Sequence, residues 1–337
     1  MSAFRRDHEQ CSIVRHCTRV ALSLAAAWLA SAPFGAHAQA YPARPVRVVV
    51  AFTAGGTTDI LARSVGQQLS ERLKQPFVID NRPGAGGNIG TELVVRSTPD
   101  GYTLIVDSVG PIAVNPTLYK NLSYNPLTDL VPIVQLADVP NVLVVNPSLG
   151  VKNFEQLIAY AKANPGKLNY GSTGIGTSSH LSGYMLGKRM NIEITHVPYK
   201  GADALNDLLA GRLQFMFATI PSVIAQIQGG KLIAIAMSSA KRSRSLPEVP
   251  TVIESGLPGF EAGSWFGLFA PKGTPEAVVA LLNRTVNEIL SMPLIEKQMI
   301  GQGADPVRGT PAEFGQFVQR EYDKWKLVVR ESGATAE

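Results

Sequence analysis

The chain has 337 residues, 45% of them apolar, with 31 basic and 26 acidic side chains and a formal net charge of +5. That length and apolar content support one large or two ordinary domains, and so mild a basic excess excludes a nucleic-acid footprint. Both cysteines, Cys11 and Cys17, and three of the five histidines, His8, His16 and His37, fall within the first forty residues.

Residues 1–40 read as a cleavable export signal. Arg5, Arg6, Arg15 and Arg19 give a basic start, Val20 to Ala30 an apolar run, and Ala36-His37-Ala38 or Ala38-Gln39-Ala40 small residues for cleavage. The run is shorter than the roughly 18 to 20 apolar residues of a membrane span. Its removal would leave 27 basic against 24 acidic residues, no cysteine, and only His180 and His196. Disulfides, thiol chemistry and thiolate metal sites are then excluded, and neither a metal nor a cofactor is expected.

From Tyr41 onward, strand and helix patterns alternate, which predicts an α/β protein with mostly parallel sheets. Val46 to Ala51 is a buried-strand pattern; Ile60, Leu61, Val65, Leu69 and Leu73 then recur at helical spacing over 59–74. A strand over 76–80, the segment NRPGAGGNIG, a helix near 91–97, the turn Pro99-Asp100-Gly101 and a strand over 102–106 follow. Pro111, Pro116, Pro126 and Pro132 mark a less regular stretch. A strand over 141–146 and a helix over 154–163, stopped by Asn164-Pro165-Gly166, open a second series. It continues through strands over 167–170, 193–197, 214–218 and 232–238, with helices from near Thr177 and over 202–209. A strand over 264–270 and amphipathic helices over 275–290 and 311–330 close the chain. The return near residue 262 predicts a discontinuous first lobe, 41–141 with 262–337, and a second lobe, 142–261.

Two glycine-rich loops follow short strands and carry hydroxyls into helices: FTAGGTTD, Phe52 to Asp59, and GSTGIGTSSH, Gly171 to His180. Glycine lets backbone N–H groups converge, and a helix start leaves several of them unpaired, so each loop is an anion seat. Two seats this far apart predict two lobes closing on an anionic ligand. Ser172, Thr173, Thr177 and Ser178 suit donation to a carboxylate, some of them also capping the helix. Lys200, after the strand that ends in His196-Val197-Pro198-Tyr199, could add charge or be solvated surface; Tyr199 could wall the ligand or pack under its loop. Asp59, itself negative, fits helix N-terminus stabilisation.

Gly84 to Gly90, GAGGNIG, matches a dinucleotide fingerprint poorly: its spacing is wrong, and the alternative is a tight turn packed on a neighbouring loop. A hydrolase using Ser178 and His180 is a rival, although adjacent positions on one helix start do not by themselves give attack geometry. A module reporting ligand to a membrane sensor is another.

Taken in order, YPARPVRVVVAF, GGTTD, VIDNRPGAGGNIG, TPDGYTL, YAKANPGKLNYGSTGIGTSSHL, THVPYKGADAL, LPEVPTVIESGLPGF and APKGTP resemble the exported solute-binding proteins of tripartite tricarboxylate transporters, the TctC-like or Bug family, over nearly all of 41–333. The resemblance implies a periplasmic-binding-protein fold of two αβ lobes around a Venus-flytrap cleft. It also implies no catalysis, a monomer, a small carboxylate ligand and membrane permease subunits as partners. Carried onto this chain, the binding residues are Phe52, Thr53, Ala54, Gly55, Gly56 and Thr57 in the first loop. Ser172, Thr173, Gly174, Gly176, Thr177 and Ser178 form the second, Tyr199, Lys200, Gly201 and Ala202 the adjoining wall, and Ser108 an addition. Thr53-Ala54 replaces a pair of prolines present in many relatives, which reshapes one end of the pocket.

Overall fold

The computed structural model describes residues 41–332 and 334–336; the expected signal, 1–40, lies outside the described residues. The first strand, β1 (Val46–Val50), is a valine-rich run buried along almost its whole length. Such a run suits a strand covered on both faces. Helix α1 (Thr57–Leu73) buries Leu61, Ala62, Val65 and Leu69 and stops where Lys74 turns left-handed. It begins two residues before the predicted position because Gly56 takes the N-cap in an extended conformation.

Strand β2 (Phe77–Asn81), helix α2 (Asn88–Val95) and β3 (Thr103–Ser108) follow. After a π-turn at Gly110–Val114 come the one-turn helices α3 (Asn115–Leu118) and α4 (Pro126–Asp129). Strand β4 (Leu130–Val139) was not anticipated. Pro132 reads as a breaker, but it faces Phe269 at a register shift, where a proline is tolerated.

Beyond Pro140 the chain enters a second sheet with β5 (Asn141–Val145), α5 (Phe154–Ala163), β6 (Leu168–Ser172), α6 (Ser178–Met190), β7 (Ile194–Pro198), α7 (Asp203–Leu209), β8 (Phe215–Thr219), α8 (Ile220–Gln228) and β9 (Ile233–Met237). It returns to the first sheet as β10 (Ser264–Pro271), then adds α9 (Glu276–Leu290), α10 (Pro293–Gly301), β11 (Asp305–Pro306) and α11 (Pro311–Ser332). Helices α8 and α10 were missed. Each opens on a proline in its first turn, Pro221 and Pro293, which suits a helix start.

The strand orders are β11-β4-β10-β3-β1-β2 and β7-β6-β8-β5-β9. β1 pairs in parallel with β2 and β3, and β6 with β7 and β8. In the first sheet β10 runs antiparallel between β3 and β4; in the second, β5 runs antiparallel between β8 and β9. Apart from β11, both sheets therefore share one scheme: four strands running one way and a single reversed strand in the fourth place. The reversed strand is in each case the one on which the chain enters from the other sheet.

Both faces of β5 are buried. Leu143 and Val145 pack with Phe154, Leu157, Tyr170, Phe215 and Phe217, and Val142 and Val144 pack with Met216, Ile220 and Val223. On the first sheet, α11 brings Phe314, Val318, Trp325 and Val329 against Trp265 and Phe269. The Glu321 carboxylate accepts from the indole N–H of Trp265 at 3.1 Å and of Trp325 at 3.0 Å, so neither ring is buried with its donor unpaired.

Candidate functional site

The turns after β1, β6, β7 and β8 leave the carboxyl ends of strands, the position where open αβ sheets place ligands. They line a pocket open to solvent, with ≈ 410 Å³ of space between its walls, open solvent included. The first sheet and its turns contribute Phe52, Gly56, Thr57, Thr58 and Ser108, together with Ser264 and Phe266 of β10. Thr173, Thr177, Ser178 and Thr219 come from the second sheet, with Gly201 and Ala202 from the turn after β7. Every polar side chain on this wall is a serine or threonine hydroxyl, none is charged, and Phe52 and Phe266 add apolar surface. The first turns of α1 and α6 border the cavity through Thr57, Thr58 and Ser178. Gly56 gives α1 no side-chain cap, whereas Thr177 accepts the His180 N–H.

Loops of the two sheets meet directly around this space. The Thr53 hydroxyl accepts the Ala202 N–H at 2.8 Å, and the hydroxyls of Thr57 and Thr219 lie 2.7 Å apart. A Cβ on Gly201 would come within 2.6 Å of Thr53 Oγ1, so glycine is needed for the approach. On the flank, a Cβ on Gly86 would collide with the Ile175 carbonyl oxygen, and one on Gly176 with Asn115 Oδ1. The segment GAGGNIG is thus a backbone clasp against the 174–176 loop, the alternative weighed against a nucleotide fingerprint.

Of the residues singled out from sequence, Phe52, Gly56, Thr57, Ser108, Thr173, Thr177, Ser178, Gly201 and Ala202 lie on the cavity wall. The others lie off it, for identifiable reasons. Thr53 is spent on Ala202. Ala54 is exposed, as is Gly55, whose N–H donates to Asp59. Ser172 lies beneath its loop, bonded to Gly174 and His196. Gly174 and Gly176 face Gly86 and Asn115. Tyr199 turns its hydroxyl to the Asp207 carboxylate, and Lys200 is exposed. Thr58, Thr219, Ser264 and Phe266 were missed. Thr219 carried a usable signal, a hydroxyl residue ending a strand before Ile-Pro-Ser; Ser264 and Phe266 arrive from the returning strand and carried none.

Asp59 braces the first loop. Burial opposes its charge, but bonds from Arg63, the Gly55 N–H and Asn81 outweigh this and hold the carboxyl below its ordinary range. Behind Ser108, burial pushes the Asp107 carboxyl up to about 7, only partly offset by bonds from Thr91 and the Ser108 N–H. Ser178 Oγ donates to Asn141 Oδ1 at 3.4 Å, while His180 Nδ1 accepts the Gly176 N–H at 3.2 Å. The serine and histidine are therefore turned to different partners, which does not make the nucleophile and base of a hydrolase. Among the described residues no group of His, Asp and Glu is arranged to hold a metal.

Comparison with known proteins agrees with this architecture. A family profile described as "Tripartite tricarboxylate transporter family receptor" matches residues 61–334. The chain is 42% identical to protein BugT of Bordetella pertussis over 299 residues, 88% of this chain and 92% of BugT. It superimposes on R. palustris Rpa4515, solved with adipate, with a TM-score of 0.86 at 39% identity, covering 88% of this chain and 99% of the other. MatC from Rhodopseudomonas palustris, solved with bound malate, gives a TM-score of 0.82 at 34% identity over 86% and 100%. Hydroxyl-lined cavity, paired sheets of one topology and similarity over 88% of the chain converge: the chain belongs to the tripartite tricarboxylate transporter family of receptors, which bind solutes and are not enzymes.

Proposed function

We propose that this chain is a periplasmic receptor that captures a small dicarboxylate between two lobes, 41–141 with 262–337 and 142–261, and delivers it to the membrane permease subunits of a tripartite tricarboxylate transporter. The observation that carries this reading is the cavity wall. Its polar groups are neutral hydroxyls contributed by both sheets, and two helix starts border it. Neutral donors and helix starts bind an anion without a fixed counter-charge, and release to a permease requires that the hold be reversible. Thr57 and Thr58 on one side, and Thr173 with the start of α6 at Thr177 and Ser178 on the other, give a ligand with two carboxylates a seat at each end. Phe52 and Phe266 suit the apolar carbons between them.

The adipate held by Rpa4515 and the malate held by MatC are ligands of this class. Contacts from both lobes exist only in the closed form, so the ligand shifts the population toward closure. Export by residues 1–40 places the receptor in the periplasm. The test is a thermal-shift screen of the chain from Gln39 onward against mono-, di- and tricarboxylates and their uncharged amides. A ligand at 100 times its Kd adds about 2.7 kcal/mol of stability. A shift for a diacid and none for its diamide supports the reading; equal shifts for both, or none for any acid, overturns it.

A further inference from the structure

The mature chain's two histidines stand behind the second-lobe loop rather than on the cavity wall. Their rings stack with centroids 4.2 Å apart, and Tyr170 of β6 also stacks on His196 at 4.9 Å. Each ring grips the loop at one point. His180 Nδ1 accepts the Gly176 N–H at 3.2 Å, and His196 Nε2 lies 2.6 Å from Ser172 Oγ. Ser172 Oγ in turn accepts the Gly174 N–H at 3.2 Å, and Thr177 Oγ1 donates to the Gly174 carbonyl at 2.7 Å. A closed set of bonds thus runs from His196 through Ser172, Gly174 and Thr177 to His180, whose own N–H donates to Thr177 Oγ1 at 3.4 Å. Thr173, Thr177 and Ser178, the cavity hydroxyls of this loop, are carried on that frame.

We propose that His180 and His196, as a neutral imidazole pair, are positioning residues for ligand recognition, fixing Gly176 and Ser172 so that Thr173 and the start of α6 are preset toward the ligand. This rests on reading the cavity as the ligand site. Chemistry favours the pair over other side chains. Bonding to Gly176 requires an unprotonated ring nitrogen on His180, and an imidazolium would set N–H against N–H. The groups facing the pair do not force a proton on: Tyr170 of β6, Tyr184 and Lys188 of α6, and Glu193 before β7 line the outer pocket with it. Burial holds His180 down at about 4; burial and then the neighbouring His180 hold His196 at about 3.

The test compares His180→Phe, which keeps a ring to stack but removes the acceptor, with His180→Asn, whose amide oxygen can stand near the place of Nδ1. In the unliganded protein, amide hydrogen exchange at Gly176 is expected to accelerate about tenfold in His180→Phe and to stay within about threefold of wild type in His180→Asn, one hydrogen bond's worth of protection. Affinity for adipate and malate, used as probes, should follow the same order. The opposite order, Phe tolerated and Asn not, overturns the proposal and leaves the rings as packing. Should His180→Phe fail to fold, ¹⁵N spectra of the wild-type imidazoles decide: a bare Nδ1 on His180 supports the proposal and a protonated one overturns it. If exchange follows the expected order but neither diacid binds the wild type, the positioning role stands and the dicarboxylate reading fails.

Discussion

Thr53→Ala isolates one contact between the lobes. The Thr53 hydroxyl accepts the Ala202 N–H at 2.8 Å across the mouth of the cavity, 149 positions away in sequence. A hydrogen bond of this kind is worth a net 0.5 to 1.5 kcal/mol, roughly. Ala202 is only half-buried, so water can partly replace the lost acceptor, and about 1 kcal/mol is the expected loss. Because the contact requires the loops together, the loss falls on the closed, liganded state. Calorimetric titration with adipate should show affinity about fivefold weaker, with the melting temperature of the unliganded protein unchanged. Thr53→Ser keeps the hydroxyl and should bind within about twofold of wild type. The reasoning is refuted if Thr53→Ala binds as wild type does, or if the alanine and serine variants are equally impaired.

Gly86→Ala should cost about tenfold in affinity, since its Cβ collides with the Ile175 carbonyl when the lobes close. Gly150→Ala, also at positive φ but with open space around it, should cost only about 1 kcal/mol of stability and no affinity. Trp325→Ala removes a ring that is 1% exposed and strands the Glu321 carboxylate without one of its donors; urea unfolding should register about 3 to 5 kcal/mol. Asp107 sets a pH dependence. Its folded pKa, about 7, lies above the ordinary value near 3.9, so between those values the folded chain keeps a proton that the unfolded chain has lost. Stability from this group is present at low pH and lost as pH rises toward 7. Asp107→Asn should therefore melt higher than wild type at pH 8, with the difference shrinking toward pH 5; a difference independent of pH would contradict the assignment.

The parts legible in the sequence were those set by local physics. Valine runs such as 46–50, the apolar spacing of α1 and the Asn-Pro-Gly stop after α5 reveal their elements without tertiary information. The two glycine-hydroxyl loops were legible as turns into helices because positive φ and helix starts leave a local signature. What was lost depends on distant partners. Pro132 lies within β4 only because a register shift against β10 accommodates it, and Ser264 and Phe266 reach the cavity only because β10 returns beside β3. Tyr199 was read as equally able to wall the ligand or pack; Asp207 on the next helix draws its hydroxyl away. His180 was weighed with Ser178 as part of a hydrolase, and its stack with His196 is a tertiary contact.

The most direct test of the account is a crystal structure of the chain from Gln39 onward with whichever diacid gives the largest thermal shift. The account predicts one carboxylate within hydrogen-bonding distance of the Gly56–Thr58 turn and the other within reach of Thr173, Thr177 or Ser178, with the carbon chain against Phe52 and Phe266. A diacid seated elsewhere, or held by a charged side chain outside this cavity, would contradict it.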